Sequence, residues 1–157
     1  RQIGENSRAL ISHMSDMVWS INPDNDNFDS IGSRMRDFAA SMLRENDIAM
    51  DILLPEQDQW PKLDMQRRKN IFLIYKEAVH NVFKHARCST LTIRVRVVDD
   101  SIVMTIVDNG IGYDSATKPN GSGLKNMRRR AEQMGAILEI SSSRGEGTAL
   151  KLVIHCI

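Results

Sequence analysis

From residue 89 onward the apolar residues recur at every second position. In "TLTIRVRVV" Leu91, Ile93, Val95 and Val97 alternate with Thr and Arg, the pattern of a strand with one buried face. The run "IVMTIVD" (102–108) follows after a short turn at "VDDS", and "AILEISS" and "TALKLVIHC" are joined by "SRGEG" (143–147). Strands joined by turns this short pair antiparallel, because a parallel pair needs a long crossover. The second half of the chain is thereby committed to a largely antiparallel sheet.

The first half repeats with the helical period instead. Ile71, Ile74, Ala78, Val79, Val82 and Phe83 form the apolar face of a long helix expected from about Met65 to His85. Phe28, Ile31, Met35, Phe38 and Met42 predict another, ending near Arg44. "AMDILLP" (49–55) reads as a short strand and "PEQDQWPKLD" (55–64) as a loop. A last helix is expected from about Leu124 to Met134, with Gly135 as its stop. At the start of the chain, Ile3, Ser7, Leu10, Met14, Met17 and Ile21 follow one seam of a heptad pattern, and Pro23 ends it. The order is helix, helix, strand, helix, strand, strand, helix, strand, strand. It predicts an α/β (α+β) two-layer sandwich, with a mixed, largely antiparallel sheet covered by helices on one face. The expected division is residues 1–24 as a helix and linker and 25–157 as the main domain.

Composition narrows the function. A length of 157 residues suits one domain plus an extra element. A net charge of +1 favours neither nucleic acid nor a membrane surface. No apolar run approaches the ~18 residues that span a bilayer. Cys88 and Cys156 are unpatterned, and His13, His80, His85 and His155 show no metal-ligand grouping. The chain begins at Arg1 without a signal pattern and reads as a piece of a longer protein.

Two constellations carry possible chemistry. Glu77, Asn81, Lys84 and His85 lie at offsets that place them within roughly 100° of one another on a helix. This is either a solvated edge or a ligand face, with Glu and Asn as oxygen donors suited to Mg²⁺ and Lys and His set for phosphate. The second is glycine-rich. "VDNGIGYD" (107–114) contains Asn109-Gly110, the local signature of a hairpin turn, with a further glycine at Gly112 that a hairpin does not need. Gly121 and Gly123 then open the last helix, whose N-terminal N–H groups form either a plain flexible entry or a phosphate cradle. "GSGLKNM" is neither a Walker A loop nor a dinucleotide fingerprint.

Together these segments resemble a known family. "KEAVHNVFKHA" (76–86), "DNGIGYD" (108–114), "GSGLKNMRRRA" (121–131) and "GEGT" (145–148) are similar, in order and spacing, to the N box, G1 box, G2 box and final threonine motif of the GHKL ATPase superfamily. The match is closest to the ATP-binding catalytic domain of bacterial two-component sensor histidine kinases, in the short-lid subgroup of nitrate-sensor and desaturase-sensor type. The resemblance covers about residues 25–157, and "MSDMVWSINPDNDNF" extends it into the end of a dimerisation helix. It implies the Bergerat fold, ATP and Mg²⁺ as cofactors, and transfer of the γ-phosphoryl to a histidine on an upstream dimerisation helix. It also implies a homodimer in the full-length protein, a response-regulator receiver domain as partner, no direct nucleic-acid partner, and a cytoplasmic location beneath a membrane-anchored sensor. By the same resemblance Glu77 is the catalytic carboxylate beside the metal and Asn81 holds Mg²⁺. Lys84 and His85 stand near the phosphates, Asp108 accepts the adenine amino group, and Gly110 and Gly112 leave room for the base. Gly121, Gly123 and Leu124 cradle phosphates, and Thr148 supports the adenine site. On strand pattern alone Thr148 would be an ordinary strand residue.

The chain departs from the family in two places. His13 is followed by Met14 and Ser15 rather than acidic residues, so it reads as a surface or bundle histidine. The lid "YDSATKPN" (113–120) carries no Phe, as the short-lid subgroup implies. Two other classes share the fold: a serine kinase of anti-sigma-factor type, and an ATP-driven dimerisation clamp. The heptad seam argues against the first, and the short lid against the second.

Overall fold

A computed structural model describes residues 29–44, 46–114, 116 and 121–156. The expected helix over 1–21 and most of the lid lie outside them, as does the division of 1–24 from the rest. Helix α1 spans Asp29–Leu43 and buries Ile31, Met35 and Ala39, one residue per turn. Strand β1 (Ala49–Leu53) follows. The loop after it is tied by one turn at Gln57–Gln59 and anchored by the buried side chains of Trp60 and Leu63. Helix α2 spans Met65–Asn81 and is capped by Asp64, whose carboxylate accepts the Arg67 N–H at 2.7 Å. Strands β2 (Thr90–Val98) and β3 (Ser101–Asp108) form a hairpin. Asp99 and Asp100 both have positive φ, 47° and 61°, the geometry that suits a two-residue turn to strand twist. Helix α3 (Ser122–Gln133) and strands β4 (Ile137–Ser142) and β5 (Thr148–His155) complete the described residues.

The sheet order is β1-β2-β3-β5-β4. Among the described residues only β1 and β2 pair in parallel, and α2 is the crossover between them. One sheet face carries Leu91, Ile93, Val95, Ile102, Met104, Ile106, Leu150, Leu152 and Ile154, all buried beneath the helices. The mixed two-layer sandwich read from the sequence is the observed architecture. No helix among the described residues is long and apolar enough to cross a membrane.

Three expectations change in detail. The buried face of α2 is wider than its aliphatic stripe, because α1 and α3 pack on its two flanks. Phe72 and Tyr75 are buried alongside Arg68 and Asn70. Phe38, Phe72 and Tyr75 form a ring cluster with centroids 6.2–6.5 Å apart, and the Tyr75 hydroxyl donates to the Met35 carbonyl at 2.7 Å. Second, α2 does not run as an α-helix to His85: it widens into a π-turn over Val82–Ala86. The wider turn keeps both Val82 and Ala86 buried while Lys84 and His85 face outward. Third, Asn109-Gly110 makes no hairpin. The chain from β3 runs on to Gly112 and beyond, and the partners of β3 are β2 and β5. The Asn109 side chain is committed elsewhere: its Oδ1 accepts the N–H groups of Ser89 and Thr90 at 3.0 and 2.9 Å, fixing the start of β2.

Candidate active site

A cavity of about 560 Å³ opens between the C-terminal end of α2, the N-terminal end of α3 and the β3–β5 end of the sheet. That volume suits a ligand of nucleotide size. Glu77, Asn81, Lys84, His85, Asp108, Gly112, Gly121, Gly123, Leu124 and Thr148 all line it. These are the residues singled out in the sequence, brought together from four separate segments, with Gly110 as the exception.

Gly110 is buried, but not at the cavity wall. A Cβ there would run into the Ala86 carbonyl, which accepts the Ile111 N–H at 2.7 Å. This glycine therefore lets the loop after β3 lie against the end of the π-turn. Gly112 does line the cavity, but its φ of +61° and the closeness of the Ser143 carbonyl are what exclude a side chain.

The Asp108 side chain is one of few buried charged groups among the described residues. Its Oδ1 accepts the Gly110 N–H at 2.8 Å. Burial pushes its carboxyl above the usual carboxylate range, while the backbone N–H groups of Gly110 and Thr148 pull it back. Beside it Thr148 is the cross-strand partner of Asp108. Thr148 Oγ1 lies 2.8 Å from Ser142 Oγ. Ser142 also receives the Tyr113 N–H at 2.9 Å and donates to the Gly147 carbonyl at 3.0 Å. Ile106, Ile140 and Leu150 form the apolar wall next to this polar end.

At the other end Gly121 is the N-cap of α3 and offers no capping side chain. A Cβ on Gly121 would meet nothing, whereas one on Gly123 would strike the Glu77 carboxylate. The carboxylate thus rests on the first turn of α3, where the helix dipole favours negative charge. Asn81, one turn along α2, lines the same wall. Lower on the two helices, Arg130 donates to Asn70 Oδ1 at 3.1 Å and Asn70 donates to Gln133 at 3.4 Å, tying α3 to α2. Burial and the adjacent Arg129 hold Arg130 below its ordinary pKa, and the Glu77 charge opposes them.

Sequence reasoning missed Ser142 and Tyr113. Tyr113 lines the cavity, and burial raises its phenol pKa against the pull of Arg128. Ser142 had a signal: it sits directly across the short turn from Thr148.

Residues 66–156 match the family described as histidine kinase-, DNA gyrase B-, and HSP90-like ATPases. The chain is 38% identical over 92 residues to the nitrate/nitrite sensor protein NarQ of Escherichia coli, covering 57% of this chain and 16% of that protein. It is 30% identical over 124 residues to the sensor protein VraS of Staphylococcus aureus (78% and 35%). It is also 30% identical over 86 residues to the sensor histidine kinase LiaS of Bacillus subtilis (54% and 24%). The chain thus spans about a third or less of the length of these relatives. Among solved structures, the histidine kinase domain of the blue-light activated kinase from Erythrobacter litoralis superposes with a TM-score of 0.70 at 19% identity, over 80% of this chain and 61% of that one. The catalytic domain of histidine kinase ThkA superposes with a TM-score of 0.67 at 14% identity, over 83% and 94%; at these identities the likeness shows the fold. With the family matched over more than half its length, the chain belongs to the histidine kinase-, DNA gyrase B- and HSP90-like ATPases.

Proposed function

We propose that this domain binds Mg-ATP in the cavity and donates the γ-phosphoryl to a histidine on an upstream dimerisation helix in two-component signalling. The observation that carries the reading is the polarity of one cavity. A buried acceptor carboxylate, Asp108, stands at one end, and a helix N-terminus without a capping side chain stands at the other. A molecule with an amino-bearing base and an anionic tail satisfies both. Membership of an ATPase family supports ATP as that molecule. A relative named as a sensor histidine kinase, beside two named as sensor proteins, supports phosphotransfer over a serine kinase or a clamp. They support a response-regulator partner as well, and the transfer to an upstream dimerisation helix places the domain in a homodimer within this reading.

Asp108 accepts the adenine amino group, and Thr148 supports it. Gly121, Gly123 and the Leu124 amide receive phosphate oxygens at the α3 dipole, with Lys84 and His85 alongside. A polyphosphate arriving there meets the Glu77 carboxylate already on the same helix turn, so the charge balance calls for a cation. Glu77 and Asn81 are oxygen donors of the kind Mg²⁺ takes. Among the described residues no three His, Cys, Asp or Glu side chains gather around one point, so phosphate and water would complete the coordination. When bound, Mg²⁺ supplies positive charge against the phosphate oxygens. The chain's own part in the transfer is to hold the tail, neutralise its charge and keep Glu77 near the acceptor, which is most of what phosphoryl transfer requires.

Calorimetric titration with a non-hydrolysable ATP analogue, with and without Mg²⁺, tests this. Asp108→Ala should abolish measurable binding under both conditions, and Asn81→Ala should remove only the Mg²⁺-dependent gain. Undiminished affinity in Asp108→Ala would refute the assignment of the base end.

A further inference from the structure

Ser142 stands at the junction of three hydrogen bonds, and counting protons fixes the direction of each. The Tyr113 N–H can only donate to it, and the Gly147 carbonyl can only accept from it. A serine hydroxyl has a single hydrogen, and Gly147 takes it. The third contact, to Thr148 Oγ1 at 2.8 Å, must therefore be Thr148 donating to Ser142. The opposite assignment would set two oxygens, Ser142 Oγ and Gly147 O, 3.0 Å apart with no hydrogen between them. Thr148 lines the cavity and Ser142 does not. With its hydrogen held by Ser142, the Thr148 hydroxyl offers the cavity only lone pairs.

We propose that Ser142 is a specificity-determining positioning residue: by fixing Thr148 as an obligate acceptor beside Asp108, it makes this end of the cavity select a 6-amino purine over a 6-oxo purine. The proposal rests on the adenine reading above. Asp108 alone would leave a free Thr148 hydroxyl able to rotate and donate to a 6-oxo group, rescuing part of the wrong base. Pinning that hydroxyl converts a tolerant partner into a repulsive one, the negative element that discrimination requires. The same Ser142 oxygen receives the N–H of Tyr113, the first residue of the lid segment, so the base end and the lid share one anchor.

The test compares Mg-ADP with Mg-IDP, whose hypoxanthine carries oxygen where adenine carries the amino group. Calorimetry on this chain should show wild type preferring ADP. Ser142→Ala should shrink the ADP/IDP affinity ratio by about tenfold, roughly one hydrogen bond regained by the oxo base. Ser142→Thr, which restores the hydroxyl, should return the ratio to the wild-type value. A residue that merely supported the fold would weaken both ligands alike, so an unchanged ratio in Ser142→Ala overturns the proposal. Should that variant not fold, Ser142→Cys asks the same question through a weaker hydrogen-bonding group: an intermediate ratio supports the proposal, and the wild-type ratio overturns it. A wild type that binds ADP and IDP equally defeats the adenine reading itself, a result distinct from failure of the Ser142 proposal alone.

Discussion

Gly110→Ala and Gly123→Ala add the same methyl group, and the structure predicts opposite consequences. At Gly110 the new Cβ would collide with the backbone of Ala86, at its carbonyl oxygen and carbon. Neither partner can swing away, since both belong to buried backbone, and the Ala86 carbonyl already accepts the Ile111 N–H. Overpacking of this kind costs about 1–3 kcal/mol, and loosening the Ile111 bond adds about 0.5–1.5 kcal/mol. The expected destabilisation is thus about 1.5–4.5 kcal/mol, read as a lower urea midpoint at unchanged slope. At Gly123 the added methyl meets only the end of the Glu77 side chain, which can rotate. The position lies inside α3, where alanine is favoured over glycine by up to about 1 kcal/mol. Gly123→Ala should therefore leave stability unchanged or slightly raised, while Glu77 is driven off the α3 turn. The Mg²⁺-dependent part of ATP-analogue binding should then fall several-fold. Equal destabilisation of the two variants, or Gly123→Ala with normal Mg²⁺-dependent binding, would refute the reasoning.

Asp108→Asn separates stability from binding. Because the folded-state pKa of Asp108 is raised, its protonation stabilises the fold fully below the unfolded value near ~4, and that contribution is lost as pH rises through the folded value. The Asn variant should gain stability relative to wild type as pH rises above the ordinary carboxylate value near ~4 in paired urea titrations, yet bind adenine nucleotides poorly at every pH. In wild type, adenine affinity should drop on acidification before pH reaches the ordinary carboxylate range, since the acceptor is then protonated. Tyr75→Phe removes the bond to the Met35 carbonyl and should cost about 1–2 kcal/mol by thermal or urea unfolding with nucleotide affinity unchanged.

Much of this was legible because its signals are local. Alternation named β2 and β3, and the residue spacing on α2 placed Glu77 and Asn81 on one wall. The motif resemblance joined them to Asp108, Gly123 and Thr148, which no periodicity could do. What escaped depends on tertiary neighbours. Phe72 and Tyr75 lie off the aliphatic stripe and are buried only because α1 covers them. Asn109-Gly110 carries a strong turn signal, but the Asn109 amide is claimed by Ser89 and Thr90, nearly twenty residues earlier. Ser142 looks like one serine among three in "SSSRGEG" until β4 and β5 are paired in register. At Gly110 a side chain cannot fit, and the obstacle that the fold supplies is the Ala86 backbone, which no local pattern reveals.

The central claim is that one ligand is held at both ends of the cavity, base on Asp108 and Thr148, phosphates on the first turn of α3. Backbone amide resonances followed by NMR test it most directly. Adenosine should shift Gly110 and Thr148 while leaving Ser122, Gly123 and Leu124 in place, and Mg-ADP should shift both sets together. Mg-ADP that moves neither set, or moves the α3 turn without the base end, would contradict the account.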